Sequence, residues 1–478
     1  MRRSGLHSRA GIALAATLAC ASCGALPGIG GGNGPQPGQA GYVRGFLGGV
    51  VADEPRAALA GREVLSRGGD AADAAVAVAF NLAVTLPSRA GLGGGGACIA
   101  YDAARNSINQ GNPEAVLFVP DAPSQPPGPN ADRPAALPML ARGMFLLHAR
   151  YGKLPFETLI APAEEAARLG VPVSRALAQD LAPVAGPLFA DPQARATFSR
   201  GGVPLTAGQA LVQPALATTL AAMRVAGVGD FYQGRLANRI AQDSPLAGGP
   251  LTIAELRAAL PKLAVPLEVS AGRDQVAFLP PPADGGLAAA AGFESLRQDP
   301  DNLAAAAERA LAAAARWRAG GVTADALLHA GNLPPAAPPA LPASTSFATL
   351  DRNGNAVVCA LTMNNLFGTG RMVPGMGFLL APSPASVAPP LLAAALAWNA
   401  NIHAFRAEIG GSGQAGAPMA VAVGMQNALH TGRPMSVPVP APGRANVIAC
   451  SRYLPGENGS CAWASDPREA GLAVGGGG

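Results

Sequence analysis

Charge is scarce in this chain. Asp, Glu, Lys and Arg together make up 13% of its 478 residues, and the formal net charge is only +4. No run of Lys or Arg occurs, so the electrostatic footprint that nucleic acid requires is missing and that class of partner is set aside. After the N-terminal stretch, no apolar run is long enough to cross a bilayer as a helix. The five His are scattered, and no Cys/His spacing resembles a zinc site, so neither metal nor cofactor is expected. What the chain has in quantity is hydrophobic residues, at 49%, with 61 Gly and 46 Pro. That balance describes a sizeable core joined by many tight turns, in two or three average domains or one large α/β unit.

The first residues carry Arg2, Arg3 and Arg9, then an apolar segment from Ala10 to Ala21 and small residues around Cys20 and Cys23. That is the layout of an export signal, with an apolar part too short to span a bilayer. Residues 1–23 are expected to be a signal peptide, and Cys20 or Cys23 is a candidate lipid anchor. The expected location is the periplasm or a membrane-anchored lipoprotein of a bacterium. Residues 24–41 are rich in Gly and Pro and read as a flexible tether. Cys450 and Cys461 flank a Pro-Gly-Glu-Asn-Gly turn and are a reasonable disulfide in an oxidising compartment. Cys98 and Cys359 lie in apolar strand-like runs and are read as buried thiols.

Along the folded body, Ala57 to Leu86 reads as two helices, the second (Ala71 to Thr85) apolar nearly all round and therefore buried. A glycine loop, Gly91 to Gly96, follows a helix and precedes a strand at Ala97 to Tyr101. This is the reverse of the order in a dinucleotide-binding fingerprint, so the glycines are expected to serve close backbone packing. Helical patterns recur at Ala141 to Tyr151, Asn302 to Ala330 and Ala417 to Ala428, and the Pro- and Ala-dense stretch Asn332 to Pro342 reads as an exposed linker.

The next stretch carries the chemistry. Ser344 to Leu350 alternates small polar and apolar residues, Asp351-Arg352-Asn353-Gly354 supplies a turn, and Ala356 to Leu361 is a short apolar run. Together they read as a β-hairpin. Antiparallel pairing would bring the hydroxyls of Ser344, Thr345 and Ser346 close to Thr362 and Asn364. Such an arrangement suits an N-terminal nucleophile. The chain cuts itself before a Ser, Thr or Cys, and the new α-amine, far less basic than a lysine, becomes the base for the neighbouring hydroxyl. The plain alternative is a surface hairpin with scattered hydroxyls.

The hairpin resembles the start of the small subunit in the γ-glutamyltranspeptidase family, which opens on Thr-Thr-His-Phe, runs through Asp-x-x-Gly-Asn-Ala-Val and continues Thr-x-Asn-x-x-Phe-Gly-x-Gly. The corresponding residues here are Ser344-Thr345-Ser346-Phe347, Asp351 to Val357, and Thr362-Met363-Asn364-Asn365-Leu366-Phe367-Gly368-Thr369-Gly370. Tyr151 to Pro155, Gly170 to Ser174, Asp230 to Gly234, Gly248 to Leu256 and Leu279 to Gly286 are similar to blocks of the same family's large subunit, in the same order. The resemblance implies a four-layer αββα N-terminal-nucleophile hydrolase. Residues 42–343 would form the large subunit and 344–478 the small one, with cleavage between Ala343 and Ser344. It implies a γ-glutamyl amide such as glutathione as the small-molecule substrate, hydrolysed or transferred.

By resemblance, Ser344 stands where the family has its nucleophilic Thr, a frame shifted by one residue nominates Thr345, and Thr362 supports the nucleophile. Backbone amides of Gly413 and Gln414 are the expected oxyanion hole, and Asn364, Gly411 and Ser412 the expected substrate contacts. The family's carboxylate-binding Arg is missing from Asn109 to Glu114, its nearest register here. Ala381 to Pro390 lacks the acid that binds the substrate ammonium. Arg89 or Arg371 is then the candidate for the carboxylate, against the reading of both as solvated surface residues. Two other readings stay open: an exported binding or scaffold protein that kept the fold, and an amidase for a different acyl group.

Overall fold

The computed structural model describes residues 45–104, 107–124, 132–338, 343–434, 439–468 and 470–476. The expected export signal, the Cys20 and Cys23 anchor candidates and the tether to residue 41 lie outside the described residues.

Thirteen strands build two antiparallel sheets. They are β1 (Gly48–Ala52), β2 (Gly95–Tyr101), β3 (Glu114–Phe118), β4 (Lys262–Ala264), β5 (Leu267–Ala271), β6 (Asp274–Phe278), β7 (Thr345–Asp351), β8 (Ala356–Thr362), β9 (Ala393–Asn399), β10 (Ala404–Ser412), β11 (Arg444–Leu454), β12 (Cys461–Ala464) and β13 (Leu472–Gly475). The first sheet runs β13-β1-β7-β8-β2-β3-β4 and the second β12-β11-β10-β9-β6-β5. The hairpin of β7 and β8 therefore lies at the middle of the first sheet. Every residue of both strands is buried, so it is no surface hairpin.

Alternation of side chains along each strand produces three apolar layers. Val50, Cys98, Phe347 and Cys359 face helices α1 (Pro55–Ser66), α2 (Ala71–Thr85), α3 (Leu140–Tyr151) and α4 (Phe156–Leu169). Ile99, Ala348, Val358, Leu396 and Ile448 meet between the sheets. Val276, Ala395, Ala407 and Val447 face α5 (Gly285–Gln298), α6 (Leu303–Ala319) and α7 (Ala417–Thr431). Helices, sheet, sheet and helices are the four expected layers. α2 is started by a capping box in which the Asp70 and Asp73 side chains each accept the other's backbone N–H, and all fifteen of its residues are buried. Pro55 at the first position of α1, with Glu54 accepting from Ala57 N–H, fixes the sharp exit from β1.

Two expectations are corrected. Cys98 and Cys359 are a disulfide rather than two thiols. Pairing of β2 with β8 sets them directly opposite each other on one face, a neighbourhood that strand pairing creates between residues 261 apart. Cys450 and Cys461 are bonded as expected. The single helical stretch from Asn302 to Ala330 is two helices, because Gly320 and Gly321 both take positive φ and end α6.

Candidate active site

One end of the sandwich gathers the site. β7 begins there, and the pairing of Thr345 with Leu361 and of Thr362 with Gly95 brings the ends of β8 and β2 to the same edge. β1 ends there too, since Ala52 pairs with Phe347. From the second sheet comes the end of β10. A Cβ placed on Gly410 would stand 2.8 Å from Ser346 Cβ, so the following residues, Ser412 to Gln414, lie over the start of β7.

The Ala343 carbonyl accepts a hydrogen bond from Thr362 Oγ1 at 3.3 Å, and Thr362 Oγ1 in turn accepts from Asn364 N–H at 2.8 Å. Ser344 is 1% exposed and its Oγ has no hydrogen-bond partner among the described residues. Thr345 is different, because its hydroxyl donates to Asp53 Oδ2 at 2.8 Å. Asp53 Oδ2 also accepts the Ser346 N–H at 3.1 Å, and Asp53 Oδ1 accepts from Asn446 Nδ2 at 2.7 Å. Asn446 Nδ2 further approaches Ser346 O and Oγ at 2.9 and 3.0 Å. Sequence reasoning missed Asp53 and Asn446. The available signal was the acidic pair Asp53-Glu54 at a strand end, directly before a helix-starting Pro; Asn446 offers no local signal.

The Gly413-Gln414 turn departs from ordinary backbone, with φ of +100° and +56°. A left-handed Gln is uncommon and is held by its surroundings. Ser412 is fully buried and its Oγ, like Ser344 Oγ, has no partner among the described residues. Gly411 faces the opposite way, toward α7, where an added Cβ would meet Ala417 O at 2.5 Å.

Asn364 sits at φ +55°, with Nδ2 donating to Pro382 O at 3.1 Å and Oδ1 buried without a partner among the described residues. The glycines Gly93 to Gly96 run beside this edge. A Cβ on Gly94 would stand 2.3 Å from Thr362 O, and one on Gly96 the same distance from Ala360 O, so they serve close backbone approach as expected.

The arginines do not stand free at the site. Arg89 is buried and bidentate on Asp180, with Nε at 2.7 Å and Nη2 at 2.8 Å, while Ser88 Oγ donates to the same carboxylate. It is neither a solvated residue nor an open carboxylate clamp, a correction of both readings. Arg371 makes a bidentate pair with Asp132 at 2.7 Å on each arm. That pair raises the guanidinium's affinity for its proton and lowers that of Asp132. Asp132 and Gly370 line a cavity of about 390 Å³ with Leu188, Phe367, Pro382 and Val387. Asn109 to Glu114 lies at the far end of the first sheet, since Glu114 pairs with Ala100. The residues that follow β3 to the active edge are Val119-Pro120-Asp121, which contain no cation. Among the described residues no group of His, Cys, Asp and Glu is arranged to hold a metal.

Two helix-backed antiparallel sheets, with a hydroxyl residue opening a central strand, define the N-terminal-nucleophile hydrolase fold. A cephalosporin acylase from Bacillus halodurans has the same fold, at a TM-score of 0.73, 20% identity and coverage of 93% of this chain and 99% of that one. The γ-glutamyltranspeptidase of Helicobacter pylori is similar over 60% of this chain and 89% of its own, at a TM-score of 0.52 and 25% identity.

Sequence narrows the class. Residues 57–298 match the model of the gamma-glutamyltranspeptidase family, and the chain belongs to that family. It is 33% identical over 261 residues to the glutathione hydrolase proenzyme of Escherichia coli, and 31% identical over 246 residues to human glutathione hydrolase 5 proenzyme. Those alignments span about half of this chain and only 44% and 42% of the relatives. The family match ends at residue 298, before the hairpin that carries Ser344.

Proposed function

We propose that the chain is an exported, self-cleaving amidohydrolase or acyltransferase of the γ-glutamyl type, with Ser344 as its nucleophile. The observation that carries this reading is the contrast at the start of β7. Among the described residues the Ser344 hydroxyl is buried without a partner beside a carbonyl that already receives the Thr362 hydroxyl, whereas the Thr345 hydroxyl is spent on Asp53.

Cleavage follows from attack of Ser344 Oγ on the Ala343 carbonyl carbon. Its oxygen is drawn by Thr362, the C–N bond breaks as the Ser344 nitrogen takes up a proton, and the resulting ester is hydrolysed by water. The products are a carboxylate on Ala343 and an α-amine on Ser344. In turnover that amine removes the hydroxyl proton as Ser344 Oγ attacks a substrate amide. The backbone amides of Gly413 and Gln414 stabilise the oxyanion, the protonated amine passes its proton to the leaving nitrogen, and water or an amine acceptor releases the acyl group. The two disulfides support export, because such bonds persist in oxidising compartments.

The test is N-terminal sequencing of the purified protein under reducing conditions, paired with hydrolysis of a γ-glutamyl anilide. A small fragment beginning at Ser344, and loss of both cleavage and turnover in Ser344→Ala but not in Thr345→Ala, are expected. An uncut, inactive wild type would leave a binding or scaffold protein.

A different acyl group is the second reading. It is favoured by the engagement of Arg89 with Asp180 and the lack of charge in Ala381 to Pro390. A cut enzyme that ignores the γ-glutamyl anilide but hydrolyses an anilide of an uncharged acid would select it.

A further inference from the structure

Asp53 directly follows β1 at the active edge, is 3% exposed, and uses both carboxylate oxygens only to accept, from Thr345 Oγ1, Ser346 N–H and Asn446 Nδ2. Accepting at both oxygens is the hydrogen-bonding pattern of the ionised form, and these three donors are neutral. Among the described residues Asn446 Oδ1 is buried without a partner. Its amide orientation follows from the contact with Asp53, because Nδ2 must face a carboxylate. A negative charge and an empty acceptor thus stand beside the first residues of β7, one residue from the point where cleavage would create a cation.

We propose that Asp53 and Asn446 are positioning residues for the α-amine of Ser344. In the cut chain the amine loses its peptide carbonyl and becomes a buried ammonium in exchange with the free base. Burial alone would drive such a group to its neutral form, whereas a carboxylate within a few ångströms favours the charged one. Asp53 opposes the burial and keeps the amine in its ordinary range near 8, so that it takes the Ser344 proton and still returns it to the leaving nitrogen. Asn446 Oδ1 accepts an N–H of the amine and aims its lone pair at the hydroxyl. This inference rests on the self-cleaving reading above.

The other titratable groups around this corner come from four directions. Glu54 and Arg56 lie at the start of α1, and Glu54 is pushed up by burial while accepting from Ala57 N–H. Glu408 on β10 is pushed well up by burial alone. Arg444 lies on β11 opposite Ser412. Asp466 and Arg468, paired with each other, belong to the turn before β13, whose Gly471 packs against Asp53. β8 contributes no titratable group.

The test is the pH profile of kcat/KM on the cut protein, whose acidic limb reports the amine. In the wild type the limb is expected at about 7.5 to 8.5. Asp53→Asn should move it to lower pH by about 1 unit or more, Asp53→Glu should restore it, and Asn446→Asp should move it to higher pH. A merely structural role would lower stability and leave the limb in place. Should Asp53→Asn fail to fold or cut, the wild-type limb and Asn446→Asp carry the test. A wild-type limb below about 6.5, or a limb unmoved in the cut variants, overturns the inference while the nucleophile reading stands. An uncut wild type overturns both.

Discussion

At the scale of single residues, β7 shows how alternation sorts similar side chains into different roles. Ser346 points between the sheets, where it meets Gly410. Ser344, two residues earlier, shares that face, while Thr345 turns the other way to Asp53. A second residue on the inner face, Glu408, is fully buried between Leu396 and Ile448 in register, with both oxygens unpartnered among the described residues. Burial holds its carboxyl well above the usual range, so the folded chain keeps a proton that the unfolded chain releases near pH 4.3. The folded state therefore binds more protons, and stability falls as pH rises above that value until the folded group itself ionises. The slope is about 1.4 kcal/mol per pH unit over that window. Glu408→Gln is expected to remove this dependence. In calorimetry the variant should gain melting temperature over the wild type at pH 7.5 and show little difference at pH 4; equal differences at both values would contradict it.

At the scale of elements, the glycine loop before β2 decides how closely the active edge can be assembled. Its backbone runs against the carbonyls of Thr362 and Ala360 at separations that leave no room for a side-chain carbon. Gly94→Ala must push Thr362 away or distort β2, and overpacking of this kind costs about 1–3 kcal/mol. Urea unfolding should show that loss, and cleavage before Ser344 should slow in the same variant, because Thr362 Oγ1 holds the Ala343 carbonyl. Unchanged cleavage at reduced stability would uncouple the loop from the site. The Gly413-Gln414 turn is the counterpart on the second sheet. There φ of +100° at Gly413 excludes most side chains, and an added Cβ would strike Pro442 O at 2.1 Å.

At the scale of the whole molecule, the Cys98–Cys359 disulfide joins β2 to β8, and so joins the parts on either side of Ser344. A cut chain would stay covalently whole. Without reductant, a denaturing gel is expected to show one band near full length. With reductant it should show two, at about 34 and 13 kDa, sharing 47.5 kDa in proportion to chain length. Replacing Cys98 and Cys359 together by Ala should give the two bands without reductant. Two bands from the wild type without reductant would show the bond to be open in solution.

Much of this protein was legible from residue order. The hairpin, both long helices after Pro55, the glycine loop and the four-layer class follow from local periodicity, turn residues and the resemblance of short blocks, all of which act over a few neighbouring positions. The Cys450–Cys461 bond was legible for the same reason, being 11 residues apart around one turn. Only the tertiary structure decided what depends on residues distant in the chain. It paired Cys98 with Cys359, committed Arg89 to Asp180, moved Asn109 to Glu114 away from the active edge, and brought Asp53 and Asn446 to the start of β7. Asp53 and Asn446 are 393 residues apart, and no periodicity carries over that distance. Strand order and sheet stacking set which side chains share an edge, and that edge carries the proposed site.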